Sequence, residues 1–166
     1  NLASANLGCS VSGAGDVNGD GYGDVIAGAD YYANGQSNEG AAFLYYGSST
    51  GTTTTGAVML ELNIASSYFG DAVSCAGDVN GDGYSDVIVG AERFTNGQTE
   101  EGAFWIYHGS ASGLSTTAAA MLESNQTSTH LGISINSAGD VNGDGYSDVI
   151  AGQYAYANGQ SYEGAA

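Results

Sequence analysis

The chain has 166 residues, with 18 Asp and Glu against one basic side chain, Arg93, and a formal net charge of −17. Nothing in it could neutralise phosphates, which excludes nucleic acid as a partner and makes cations the natural counter-ions. Its 12 Tyr, 4 Phe and 1 Trp set it apart from a disordered acidic tail, and no apolar run nears the ~18 residues of a membrane span.

In chain order, the first predicted strand is the alternating stretch Leu7, Cys9, Val11. A loop dense in Asp, Asn and Gly follows, and Asp24-Val25-Ile26-Ala27 predicts a second strand. Asn34-Gly35 signals a hairpin turn. The third strand, Ala41-Ala42-Phe43-Leu44-Tyr45-Tyr46, is matched further on by Ala103-Phe104-Trp105-Ile106-Tyr107-His108. Both are apolar on two faces, as in a sheet covered on both sides. A Gly/Ser/Thr-rich loop over 47–57 leads to a fourth strand near Val58–Leu62. Its later counterpart, Ala118–Glu123, reads as the matching strand, with a short helical turn as the alternative.

The chain then repeats itself. Asp16, Asp78 and Asp140 recur at intervals of 62 residues, and nine of the 18 acids sit in the three copies of this motif. Asn34-Gly35-Gln36 returns as Asn96-Gly97-Gln98 and Asn158-Gly159-Gln160, and Met59-Leu60-Glu61 as Met121-Leu122-Glu123. A period of this size indicates stacked modules. Four antiparallel strands per module, buried on both faces, predict an all-β fold of β-propeller blades. The expected units are 1–62, 63–124 and a partial third, 125–166, which stops two residues into its third strand. Two full blades and part of another cannot close a ring of ~4–8. Asn1, with no initiator Met before it, reads as a processed terminus or a cut within a longer chain.

Phe69-Gly70, the loop D-x-N-G-D-G-x-x-D and Gly90-Ala91, in this order, resemble FG-GAP repeats, the blades of integrin-alpha-type β-propellers. The resemblance spans essentially the whole chain. Leu7 and Leu131 replace the Phe, and Asp30, Glu92 and Tyr154 stand where that family often has Pro. It implies an extracellular or cell-surface protein, structural or adhesive, whose metal sites are architectural and whose partners are met on other loops.

The acidic loop itself points to a hard cation. Oxygen donors at positions 1, 3 and 5, a backbone carbonyl at 7 and a carboxylate at 9 suit Ca²⁺, with glycines for the sharp turns. The expected ligands are Asp16, Asn18, Asp20, Asp24 and the Tyr22 carbonyl; Asp78, Asn80, Asp82, Asp86 and the Tyr84 carbonyl; and Asp140, Asn142, Asp144, Asp148 and the Tyr146 carbonyl. That makes three Ca²⁺, one per repeat. Mg²⁺ fits less well because it keeps its waters and a strict octahedron. An EF-hand is disfavoured, since its twelfth-position Glu would fall at Ala27, Val89 and Ala151. Unmetallated, the crowded carboxylates repel, and the loop is expected to fray.

The remaining residues read as structural. His108 and His130 occupy different repeat positions, the G-x-S-x-G, H-E-x-x-H and Gly-rich phosphate-loop signatures count as absent, and the chain reads as no enzyme. Glu39, Glu101 and Glu163 recur before Gly-Ala and are expected to tie the hairpin. Cys9 and Cys75 fall at different repeat positions, ~13 Å apart along aligned strands, too far for a disulfide. Asn125-Gln126-Thr127 is the one N-x-[ST] sequon, so Asn125 is either a glycan acceptor or a turn residue. The expected partners are calcium, other blades or copies of the same chain, and a protein or glycan ligand. A filament subunit completed by neighbouring chains and an accessory propeller of a secreted enzyme are the other readings.

Overall fold

The computed structural model describes residues 4–166. It is all-β, with two four-stranded antiparallel sheets and one two-stranded sheet. The first sheet runs β1 (Val11–Gly15), β2 (Asp24–Ala29), β3 (Ala41–Tyr45) and β4 (Val58–Leu60), in that spatial order. The second repeats it with β5 (Val73–Gly77), β6 (Asp86–Ala91), β7 (Ala103–Tyr107) and β8 (Ala120–Glu123). The third holds β9 (Ser134–Gly139) and β10 (Asp148–Gly152), beyond which a bridge joins Gln153 to Ala165. Strands β1, β5 and β9 pack side by side, so the sheets stack as blades around their first strands. Among the described residues no helix is long and apolar enough to cross a membrane.

Side-chain alternation decides which face meets which neighbour. Ile26 and Leu44 of the first blade pack with Val87, Val89, Trp105 and Tyr107 of the second. The opposite face of the second blade, through Ile88, Phe104 and Ile106, meets Ile135 of the third. This sandwiching explains why all six residues of β6 and all five of β7 are buried. Phe69 anchors the first junction, fully buried and edge-on to Trp105 at 5.6 Å between centroids. At ~25 cal/mol per Å² of apolar area, these two clusters are the main stabilising term.

The segments before β5 and β9 each belong to two blades at once. Ser66 and Phe69 donate their N–H groups to the carbonyls of Ser37 and Glu39 in the first hairpin, while Gly70 N–H bonds Gly90 O at 2.8 Å. A Cβ on Gly70 would sit 2.3 Å from Ala41 O, so the Phe-Gly pair requires glycine for contact. Leu131 and Gly132 repeat these bonds to Glu101 and Gly152.

One sequence expectation changes and one open alternative closes. The first strand starts at Val11, because Leu7–Ser10 turns back at Gly8 (φ 93) to bond Gly28. Ala120–Glu123 is a strand, since Phe104 and Trp105 pair with Leu122 and Met121; the ladder overrides the helical leaning of its alanines.

Candidate metal centre

The turn between β1 and β2 holds Asp16, Asn18, Asp20, Tyr22 and Asp24. Just before it, a bulge places Gly15 in a left-handed conformation, which bends the strand into the loop. Asp16 closes the turn on itself. Its Oδ1 accepts the N–H groups of Gly19 (2.7 Å) and Asp20 (3.1 Å), and its Oδ2 accepts that of Gly21 (2.8 Å). Asp20 Oδ1 accepts Tyr22 N–H at 2.9 Å, and its Oδ2 accepts Asn18 Nδ2 at 3.0 Å. Asp78, Asn80, Asp82 and Tyr84 reproduce this pattern, as do Asp140, Asn142, Asp144 and Tyr146. The N–H of Gly145 does most to hold the Asp140 carboxyl below the usual carboxylate range.

The ninth position is placed differently. Asp24 is 2% exposed, and its two oxygens accept Val17 N–H (2.9 Å) and Gly47 N–H (2.8 Å). It therefore ties the loop entrance to the end of β3. Asp86 does the same with Val79 and Gly109, and Asp148 with Val141. Burial raises the Asp24 and Asp86 carboxyls above their ordinary range, opposed by the N–H donors.

The structure thus gathers Asp16, Asn18 and Asp20 in each copy and commits the last Asp to the loop base. Among the described residues no three acidic, His or Cys side chains converge enough to enclose a metal by themselves. The donor chemistry nevertheless fits a hard cation. Every side-chain donor is oxygen, and Asp16 Oδ2 and both Asp20 oxygens accept one bond each, leaving a lone pair free.

The other singled-out residues lie outside the acidic loops. Glu101 is fully buried; its Oε1 accepts Asn96 and Gln98 N–H (2.7 and 3.3 Å) and its Oε2 accepts Asn125 N–H (3.1 Å). Glu39 and Glu163 bind Asn34 and Asn158 N–H in the same way, as the sequence predicts. His130 stacks on Tyr154, 5.0 Å between centroids. Cys9 and Cys75 are free thiols, the first exposed and the second half-buried. Asn125 is exposed, at φ 57.

The sequence reading counts G-x-S-x-G among the absent signatures, and that is wrong by letter: Gly47-Ser48-Ser49-Thr50-Gly51 satisfies it. It lies in the loop between β3 and β4 with no following helix, so it lacks the strand-to-helix elbow that activates such a serine. Asp71 also escapes notice. It takes the repeat position of Cys9 and Ile133, and burial beside Glu92 pushes its carboxyl up to about 7.

Comparison with known proteins agrees with this arrangement. The chain is 36% identical over 139 residues to chicken (Gallus gallus) integrin alpha-6, covering 82% of this chain and 12% of that one. It is 32% identical over 141 residues to rat (Rattus norvegicus) integrin alpha-7, covering 84% and 12%. Human integrin alpha-IIb is 32% identical over 147 residues, covering 84% and 14%. The chain therefore spans only a small fraction of the length of these relatives. The FG-GAP repeat family model matches residues 10–45, 69–107 and 133–166. With three matched repeats on blades of this geometry, the chain belongs to the FG-GAP repeat family.

Proposed function

We propose that the chain is a calcium-stabilised β-propeller segment of an extracellular or cell-surface protein with a structural or adhesive role and no catalytic one. The observation that carries this reading is the recurrence of one oxygen-donor set at the same turn of all three units. Asp16, Asn18, Asp20, the Tyr22 carbonyl and Asp24 would hold the first ion. Asp78, Asn80, Asp82, Tyr84 and Asp86 would hold the second, and Asp140, Asn142, Asp144, Tyr146 and Asp148 the third. A bound Ca²⁺ supplies positive charge where the chain concentrates its carboxylates. Such sites are filled at extracellular calcium even when each is weak.

What the residues themselves do is anchor strands. Asp24 joins the loop to the end of β3, and Asp16 fixes the turn that Gly19 and Gly21 permit. An ion on Asp16 and Asp20 would therefore pin β1 to β2. Repeats 1–62, 63–124 and 125–166 are the corresponding units. The outer faces of the first and third blades expose Val11, Val25 and Ile150, apolar surface of the kind buried at both junctions. Further blades or copies of the chain are the partners this surface suits. The integrin relatives support an adhesion setting with protein or glycan ligands, and Asn125 is the candidate glycan acceptor.

Calorimetric titration with calcium chloride tests the reading. Three ions per chain are expected, and two after Asp78→Ala. Stoichiometry that stays the same in Asp78→Ala, or no binding at millimolar calcium, would contradict it.

A further inference from the structure

The three acidic loops are alike in sequence but not in surroundings. A Cβ on Gly19 would lie 2.5 Å from the Tyr84 ring, and one on Gly81 2.6 Å from the Tyr146 ring. Each of these tyrosines comes from the next repeat, so its ring lies over the preceding loop. The backbone adds to the contact. Ser85 N–H bonds Asp16 O at 3.0 Å, Ser110 N–H bonds Val17 O at 3.0 Å, and Ser147 N–H bonds Asp78 O at 2.8 Å. The equivalent glycine of the third loop, Gly143, has nothing within 4 Å of such a Cβ. Val17 is fully buried, whereas Val141 is 71% exposed.

We propose that Tyr84 and Tyr146 are positioning residues for the loop of the repeat before their own. The ring lies on the glycine between the Asn and the second Asp, the part of the turn that must hold its shape for Asp16 and Asp20, or Asp78 and Asp82, to present their oxygens together. Each of the first two loops is then completed from the next repeat, through a tyrosine ring. The coupling is directional: removing the Tyr84 ring weakens loop one and leaves loop two, where Tyr84 contributes only its carbonyl. Preorganisation acts here by reducing what the ion must order. This inference rests on the calcium reading for its ion-binding arm only.

The test follows the amides of Gly21, Gly83 and Gly145 by NMR during a calcium chloride titration, with hydrogen exchange measured separately in chelator. These N–H groups bond Asp16, Asp78 and Asp140 and report each loop individually. In Tyr84→Ala the Gly21 midpoint is expected to rise about tenfold and its exchange protection to drop, with Gly83 and Gly145 unchanged. Tyr84→Phe, which keeps the ring, restores both. Equal shifts at all three glycines, or a shift at Gly83 instead of Gly21, would overturn the proposal. A wild-type chain whose loops ignore calcium overturns the calcium reading alone, and protection at Gly21 then decides the clamp by itself.

Discussion

The two ends of each blade both depend on carboxylates. Both bury one on backbone N–H groups, Asp24 and Asp86 at one end and Glu39 and Glu101 at the other. Only the β1–β2 end adds a more exposed set. At the β1–β2 end, Asp20 is exposed and Asp16 half-buried, recurring with oxygen neighbours that suit a cation. At the β2–β3 end, Glu39 and Glu101 are fully buried and are met by backbone N–H groups instead. A buried carboxylate is tolerable only when hydrogen-bonded, and Glu101, with three N–H donors, satisfies that condition without an ion. The lesson is that acid content alone does not mark a metal site. One end should respond to calcium and the other should not.

The sharpest way to break the comparison is Glu101→Ala. It orphans the N–H groups of Asn96, Gln98 and Asn125 at the second junction, and a loss of about 3 kcal/mol is expected. The loss should be the same in calcium and in chelator, as read by urea denaturation. A calcium-dependent loss would erase the distinction between the ends.

Asp71→Asn has the next largest effect, and it depends on pH. The Asp71 carboxyl is pushed up to about 7, mainly by burial and then by Glu92, and its Oδ1 has no partner. The folded state therefore binds the proton more tightly than the unfolded chain. That stabilisation is complete below the ordinary carboxylate value and is lost as pH rises through about 7. Asp71→Asn should be more stable than the parent at pH 8 by about 2 kcal/mol, with little difference at pH 4. Equal pH profiles for the two proteins would refute this assignment.

A smaller effect comes from comparing the two junctions. Thr127 Oγ1 donates to Gln98 Oε1 at 3.1 Å, but Ala65 occupies the same repeat position one junction earlier. There Gln36 Oε1 and Glu39 Oε2 are buried without partners. Ala65→Thr should raise stability and Thr127→Ala lower it, each by about 1 kcal/mol, measured by thermal melts. An Ala65→Thr that lowers stability, or a Thr127→Ala that raises it, would show that the junctions are not equivalent.

Much of this was legible in the residues. The 62-residue period exposed the blades, and the continuous apolar runs at Ala41 and Ala103 predicted sheets covered on two faces. Boundaries set by distant partners were not legible. Ala118–Glu123 is ambiguous until Phe104 and Trp105 pair with it. The loop composition announced Asp24 as one more oxygen donor, yet its inward commitment depends on Gly47, at the far end of β3. The reach of Tyr84 onto Gly19 exists only once two blades are stacked. Local chemistry was readable from spacing, while cross-blade chemistry required the fold.

Thermal unfolding in calcium and then in excess chelator tests the central claim most directly. The parent chain should lose ten degrees or more in chelator, by linkage of ion binding to folding, and Asp16→Ala combined with Asp78→Ala and Asp140→Ala should remove that difference. A melting temperature indifferent to calcium would contradict the account: the loops would then be turns stitched by their own N–H groups alone.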